Sequence, residues 1–130
     1  MTKVQIEHVN VTVSDPDRAA ELMQALFDWH VRWKGAAASG GYTVHVGSDA
    51  QYIALYTPPG RDHATTFAKG RPLNHIGVEV EDLEATEAKV TAAGLTPFSH
   101  GDYAPGRRFY FLDPDGIEYE VVSYAGPRSA

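Results

Sequence analysis

The chain has 130 residues, the size of one compact domain, and a domain of this size buries roughly two-thirds of its unfolded surface. Eleven Lys and Arg residues against 17 Asp and Glu give a formal net charge of −6. No basic patch offsets that charge, so we expect no nucleic-acid partner. Cysteine is absent, which excludes disulfides, thiol catalysis and cysteine-ligated zinc. No apolar run is long enough for a signal peptide or a membrane span, and we expect a soluble cytoplasmic protein without a membrane partner.

Alternation and helix punctuation predict the first elements. Residues 4–13 predict a strand, with His8, Asn10 and Thr12 on one face and three valines on the other. Asp15 followed by Pro16 predicts the start of a helix of about three turns, and His30 is expected to interact with the dipole at its end. Further strands are predicted near 31–33 and over 42–46 and 51–56, and the loop formers of 58–72 indicate a linker.

The pattern then repeats. Asn74–Val80 predicts a strand, Asp82 a helix cap, and Gly94 the end of that helix. Sliding the sequence by 67 residues aligns His8 with His75 and produces four further identities. These identities match strand to strand and helix to helix in the same order, so the sequence predicts an internal duplication.

The duplication defines the fold class. Near the end of each copy the offset becomes 66, which aligns Ala54 with Glu120. We predict an α+β fold of two βαβββ modules, about 4–57 and 73–125, that together form a single domain over 1–130.

Histidines at equivalent positions of two related strands predict a metal site. His8 and His75 lie on the polar faces of these strands, where a lone histidine is commonly only hydrogen-bonded but an equivalent pair favours metal ligation. An Asp-Pro-Asp-Gly turn centred on Asp115 places Tyr110 directly opposite Glu120. Two neutral imidazoles and one carboxylate suit one divalent ion that prefers an anionic oxygen ligand. Fe²⁺ or Mn²⁺ is favoured, and Zn²⁺ or Ni²⁺ would also bind.

With these residues the sequence resembles the vicinal oxygen chelate superfamily of glyoxalases, bleomycin and fosfomycin resistance proteins, and extradiol dioxygenases. His8-Val9-Asn10-Val11, residues 109–116 and Glu120 carry the resemblance, which covers nearly the whole chain. The resemblance implies a curved mixed sheet around a metal cleft and a small substrate that chelates the ion through neighbouring oxygens. We also expect a homodimer, with the site completed either within one chain or across two.

The family's ligand positions separate its branches. In this sequence they hold His8, Ala54, His75 and Glu120. Glyoxalase-like lyases carry Glu or Gln where this chain has Ala54, and Gln51 is three residues away, on the opposite face of the strand. The remaining donor set resembles that of extradiol dioxygenases. It also resembles that of the fosfomycin-modifying enzymes, but residues 101–108 lack their cation-binding loop.

The dioxygenase resemblance assigns the remaining roles. Tyr110 matches a tyrosine beside the metal, His100 is the candidate acid–base group, and His63 in the linker is a second one. The expected function is therefore a metal-dependent, extradiol-type dioxygenase. Two alternatives stay open: a glyoxalase-like lyase or isomerase, and a non-catalytic protein of the bleomycin resistance type that holds a planar drug or metabolite. The candidate aromatic walls for the second alternative are Trp29, Trp33, Tyr42, Tyr52, Tyr56 and Tyr103. Arg107 and Arg108 could attract an anionic substrate, and His45 has no predicted partner.

Overall fold

The structure, a computed structural model, describes residues 4–38, 40–60, 69–70, 72–103 and 106–125. It divides into two compact units, residues 1–65 and 66–130, and each unit has one four-stranded sheet and one helix. This confirms the α+β prediction of two βαβββ modules, while their union in one domain stays a prediction. Within the described ranges, no helix has the length and apolar character that a membrane span requires.

The first unit contains five elements. They are β1 (His8–Thr12), α1 (Pro16–Phe27), β2 (His30–Ala36), β3 (Tyr42–Gly47) and β4 (Tyr52–Thr57). The strand order is β1-β4-β3-β2, with β1 parallel to β4 and the other pairs antiparallel.

The second unit repeats this arrangement. Its elements are β5 (Ile76–Glu79), α2 (Leu83–Ala92), β6 (Phe98–Tyr103), β7 (Gly106–Leu112) and β8 (Glu118–Ser123). The order β5-β8-β7-β6 and the strand directions match those of the first unit. The register matches as well, because Asn10 lies opposite Ala54 in the first unit and Gly77 lies opposite Glu120 in the second. Ala54 therefore occupies in the first unit the place that Glu120 occupies in the second.

Both helices begin where the caps predict. The carboxylates of Asp15 and Asp82 accept hydrogen bonds from backbone N–H groups three residues later, at 3.2 and 3.0 Å. Such a cap contributes about 1 kcal/mol. The helix α1 ends at Phe27, and His30 lies beyond it as the first residue of β2, with Nε2 3.4 Å from Asp49 Oδ1. The expected interaction of His30 with the helix end is therefore wrong, because α1 has no basic residue in its last turn.

Each helix covers one face of its sheet, and we call the opposite face the helix-free face. Strand alternation divides the side chains between the two faces. Buried apolar side chains of each helix pack against those of its sheet. The helix residues are Met23, Leu26, Leu83 and Val90, and the strand residues are Val44, Val46, Ile53 and Leu55 in the first unit and Phe109, Phe111, Tyr119 and Val121 in the second. The residues between them, including Tyr110 and Glu120, consequently lie on the helix-free faces.

The predicted Asp-Pro-Asp-Gly turn joins β7 to β8 and is organised by a buried carboxylate. Asp113 Oδ1 accepts the N–H groups of Asp115 and Ile117 at 2.9 and 2.8 Å. Burial raises the pKa of Asp113 to about 6 from 3.8, although the hydrogen bonds from the backbone oppose this shift. A raised folded-state pKa means that the folded protein binds more protons than the unfolded chain, so stability is lost as pH rises through about 6.

We predict that Asp113→Asn removes this pH dependence while keeping the turn, because the amide oxygen can accept the same two N–H groups. Between pH 4 and 8 the free energy of unfolding of the wild type should fall relative to that of the variant by about 2–3 kcal/mol. Urea titrations at both pH values measure the difference, with the exposed Asp49→Asn as control. Parallel pH profiles for wild type and Asp113→Asn would contradict the prediction.

Candidate metal centre

The second unit brings three of the predicted site residues together on its helix-free face. Tyr110 pairs directly with Glu120 across β7 and β8, as the turn predicted. His75, just before β5, places Nε2 3.0 Å from Glu120 Oε1. The ring of Tyr110 lies edge-on to the imidazole of His75, with 5.7 Å between the ring centroids.

A neighbouring side chain contacts the second polar atom of each of the two side chains, Asn74 for His75 and Arg108 for Glu120. His75 Nδ1 lies 2.8 Å from Asn74 Oδ1, and Nε2, on the other side of the ring, faces Glu120. Arg108 Nη1 donates to Glu120 Oε2 at 2.8 Å, which leaves Oε1 for His75. Asn74 and Arg108 thus fix the orientation of the two donor atoms.

Burial makes this cluster electrostatically strong. The side chains of Glu120 and Arg108 are each only 13% exposed, and the guanidinium of Arg108 lies over the ring of Tyr103, 4.9 Å from its centroid. Within the described ranges, Nε and Nη2 of Arg108 are buried without a hydrogen-bond partner. Burial, followed by the negative charge of Glu120, raises the pKa of Tyr110, so its phenol keeps its proton and can donate a hydrogen bond.

An open cavity of about 470 Å³ adjoins these residues within the second unit. Its size falls in the range of small-molecule sites. On its wall, Lys69 Nζ lies 3.0 Å from Glu118 Oε1. The lining combines aromatic rings with polar groups: Lys69, Asn74, His75, Phe98, Ser99, His100, Gly101, Tyr103, Tyr110 and Glu118.

The donor pair fits a divalent metal ion. Two ligand atoms about 2.1 Å from one ion and at right angles to each other are separated by about 3 Å, and the Nε2–Oε1 distance is 3.0 Å. A metal-binding histidine ordinarily donates its other ring N–H to a neighbouring acceptor, and Asn74 Oδ1 is such an acceptor, 2.8 Å from His75 Nδ1. His75 Nε2 and Glu120 Oε1 could therefore bind the same ion.

The first unit repeats the histidine part of this arrangement. His8 Nδ1 lies 2.5 Å from Oε1 of the preceding residue, Glu7, and the imidazole stacks on Tyr52 with 4.8 Å between centroids. In the part of the chain that the structure describes, no group of three or more His, Cys, Asp or Glu side chains forms a metal cluster. Ligation of one ion by His8, His75 and Glu120 therefore stays a prediction.

His100 lines the same cavity as His75 and Tyr110, but its imidazole contacts other side chains. A β-bulge between Phe98 and Gly101, with Ser99 at a φ of +52°, shifts the register of β6 by one residue. The imidazole of His100 consequently lies against Phe109, 6.0 Å between centroids, and Nε2 contacts Glu87 Oε2 of α2 at 2.6 Å. Its acid–base role stays a prediction, and His63 lies outside the described residues.

Sequence reasoning missed several residues around the donors. The alternation of β7 could have placed Arg108 on the face of Tyr110, two residues away, whereas Arg107 points to the other side and binds Glu84 of α2. No sequence pattern predicts the contacts of Glu7 and Asn74. The two residues share only their position directly before His8 and His75.

Comparison with known proteins places the chain in a family. The model of the Glyoxalase/Bleomycin resistance protein/Dioxygenase superfamily matches residues 5–121. A relative, the glutathione transferase FosA of Serratia marcescens, is 27% identical over 118 residues, which is 89% of this chain and 78% of that protein.

Solved structures share the fold. A glyoxylase/bleomycin resistance protein/dioxygenase domain from Frankia sp. EAN1pec has a TM-score of 0.76 at 22% identity and covers 95% of this chain and 98% of its own. A mutant of the fosfomycin resistance protein FosX from Listeria monocytogenes, complexed with Mn(II) and 1S,2S-dihydroxypropylphosphonic acid, has a TM-score of 0.73 at 15% identity, covering 98% and 96%. The chain is a member of the Glyoxalase/Bleomycin resistance protein/Dioxygenase superfamily.

Proposed function

We propose that the protein is a mononuclear divalent-metal enzyme whose ion is held by His8, His75 and Glu120. The contact between His75 Nε2 and Glu120 Oε1, with the outer atom of each side chain already held, is the observation that carries this proposal. His8 would come from the first unit of the same chain or of a second copy. A homodimer and a cytoplasmic location remain predictions from the sequence.

Charge favours an anionic substrate. Arg108 balances the charge of Glu120, so a divalent ion with two neutral imidazoles would retain most of its positive charge. We therefore propose a small substrate whose neighbouring oxygens, at least one of them anionic, bind the ion. The ion, Mn²⁺ or Fe²⁺ first and Zn²⁺ or Ni²⁺ as alternatives, would polarise a substrate oxygen as a Lewis acid.

The chain's own residues would orient the substrate and stabilise charge. Tyr110, a neutral phenol beside His75, would donate a hydrogen bond to the substrate oxygen on which negative charge develops. Phe98 stacks against Tyr110 at 6.1 Å and, with Tyr103, forms an aromatic wall of the cavity that would limit water there.

The relatives favour addition of a nucleophile as the reaction. The FosA relative is a glutathione transferase. The FosX mutant is complexed with Mn(II) and 1S,2S-dihydroxypropylphosphonic acid, which has two neighbouring hydroxyl groups. Both suit an enzyme that opens a small anionic electrophile with a thiol or water. Fosfomycin with glutathione or water is therefore the first assay that we propose.

Extradiol ring cleavage is the second candidate. Two histidines and one carboxylate are the ligand set of many non-haem Fe²⁺ oxygenases, which favours this chemistry. Its candidate acid–base group, His100, lies on the cavity wall with Nε2 2.6 Å from Glu87 Oε2. A glyoxalase-like lyase has less support, because Ala54 supplies no fourth ligand. A non-catalytic binding protein would not need the three donors.

We predict that His75→Ala abolishes stoichiometric metal binding while the protein stays folded, because only two of the three proposed protein ligands, His8 and Glu120, would remain. Elemental analysis of untagged protein after dialysis against Mn²⁺ or Fe²⁺ measures the metal content. His30→Ala, which removes an exposed imidazole at the start of β2, is the matched control. Equal metal content in His75→Ala and wild type would contradict the proposed metal site.

We predict that Asn74→Leu weakens metal affinity by about 10- to 100-fold, because the imidazole of His75 loses the acceptor that fixes its tautomer. Competition with a fluorescent chelator measures the affinity. Gln51→Leu is the control, since it removes an exposed amide between β3 and β4. An affinity within twofold of the wild type would show that Asn74 does not orient the ligand.

We predict that Tyr110→Phe lowers kcat by at least about 10-fold and leaves metal affinity within about threefold, since the phenol donates to substrate and not to the ion. Turnover of fosfomycin with glutathione, and of catechol with Fe²⁺ and oxygen, should be followed for both proteins. A variant with normal turnover and weakened metal binding would reverse the role that we assign to Tyr110.

A further inference from the structure

One described histidine differs from all the others. The structure describes five of the six histidines, and four of them contact an acid or amide side chain, namely His8 with Glu7, His30 with Asp49, His75 with Asn74 and Glu120, and His100 with Glu87. Among the described residues, the ring nitrogens of His45 have no hydrogen bond or ion pair, and its contacts are with other rings. Neither nitrogen is among the buried polar atoms that lack a partner in the described ranges, so both are open to solvent or to a ligand.

His45 lies on the helix-free face of the first unit, the face that carries His8. Its neighbours in β3, Val44 and Val46, are fully buried against α1, so alternation directs His45 to the other side. Opposite it in β4 is Ala54, whose methyl group offers no competing donor or acceptor.

Aromatic stacking fixes the imidazole of His45 and links it to His8. The ring of Tyr52 stacks on His45 at 4.5 Å and on His8 at 4.8 Å, and Trp33 packs against His45 at 5.1 Å. Tyr52 therefore contacts both His45 and the proposed metal ligand His8.

A β-bulge brings positive charge to the same cluster. The register of β2 and β3 shifts between Val31 and Trp33, and the additional residue, Arg32, lies with its guanidinium 4.4 Å from the centroid of Tyr52. Burial lowers the pKa of His45, the positive charge of Arg32 lowers it further, and the negative charge of Glu7 opposes this shift. At neutral pH the imidazole is therefore uncharged, with one nitrogen that accepts and one that donates.

We propose that His45 is the acid–base residue of the proposed metal site and contacts the bound substrate directly. One ring nitrogen accepts the proton of the attacking thiol or water as the bond from that nucleophile to the substrate carbon forms. The bond from this carbon to its oxygen breaks with both electrons passing to the oxygen, and His45 returns the proton to that oxygen. The inference rests on the proposed function and replaces the role that the sequence suggested for His100.

The alternative is that His45 only packs the aromatic cluster, and His45→Phe separates the two roles. Phenylalanine keeps a ring between Tyr52 and Trp33 but has no nitrogen. His30→Phe, an exposed position on the neighbouring strand, is the matched control. Metal affinity should stay within about twofold of the wild type in both variants, because neither removes a proposed ligand.

The substrate-side readout is binding of acetohydroxamate, a small chelator with two neighbouring oxygens, to the Mn²⁺-loaded protein, measured by calorimetry. We expect affinity to fall about 10-fold or more in His45→Phe, because a hydrogen bond to a charged ligand is lost, and to stay unchanged in His30→Phe. With fosfomycin and glutathione, kcat of His45→Phe should fall by about 10²-fold or more. In His45→Ala, added imidazole should restore part of the lost turnover.

The outcomes distinguish this inference from the proposed function. Wild-type protein that binds no metal would overturn both. Metal-loaded wild type and His45→Phe that bind acetohydroxamate equally, or that turn over equally, would overturn the role of His45 and leave the metal site intact. Metal-loaded wild type without affinity for acetohydroxamate would overturn His45 as a residue that contacts a chelated substrate.

Discussion

The contact between His75 and Glu120 is the interaction on which the functional account depends. Both side chains lie on the helix-free face of the second sheet, and Glu120 is only 13% exposed. A carboxylate buried to this extent is costly unless its charge is compensated, and removing one partner of a buried pair typically costs about 3–5 kcal/mol. Arg108 donates to Oε2 of this carboxylate and balances its charge, and His75 Nε2 lies 3.0 Å from Oε1. His75 and Glu120 therefore form a partly buried pair whose orientation is fixed by Asn74 and Arg108, unlike an exposed surface ion pair.

The two units have equivalent scaffolds but carry different side chains at equivalent positions. Each unit places a histidine at the start of its first strand, with Nδ1 held by the side chain of the residue before it. The last strands differ, because one unit has Glu120 where the other has Ala54. The first unit therefore has no carboxylate at the position equivalent to Glu120. Ala54 also leaves the position opposite His45 without a polar side chain.

Much of the fold was predictable because its signals are local. Asp15 and Asp82 cap the helices, strict alternation separates the strand faces, and the turn at Asp115 sets the pairing of Tyr110 with Glu120. The β6 strand escaped prediction because its sequence, Phe-Ser-His-Gly-Asp-Tyr, is polar and has no alternation. Since side chains alternate with a period of two, the single extra residue of its bulge moves His100 to the face of Phe109.

The candidate site was less predictable than the fold. The positions of His75, Tyr110 and Glu120 follow from register, but the partners of their outer atoms depend on side-chain conformations that no pattern reveals. The bulge that brings Arg32 over Tyr52, and with it the charged surroundings of His45, arises from pairing between β2 and β3, a contact between residues well separated along the chain. Where backbone register departs from regularity, the sequence has no short-range signal for it.

A crystal structure of the Mn²⁺-loaded protein, with the ion located by its anomalous scattering, tests the central claim most directly. The account predicts one ion per site, bound by Nε2 of His75 and Oε1 of Glu120, with Nε2 of His8 from the same or a second chain as the third protein ligand. An ion bound elsewhere, with His75 and Glu120 still in direct contact as an ion pair, would contradict it.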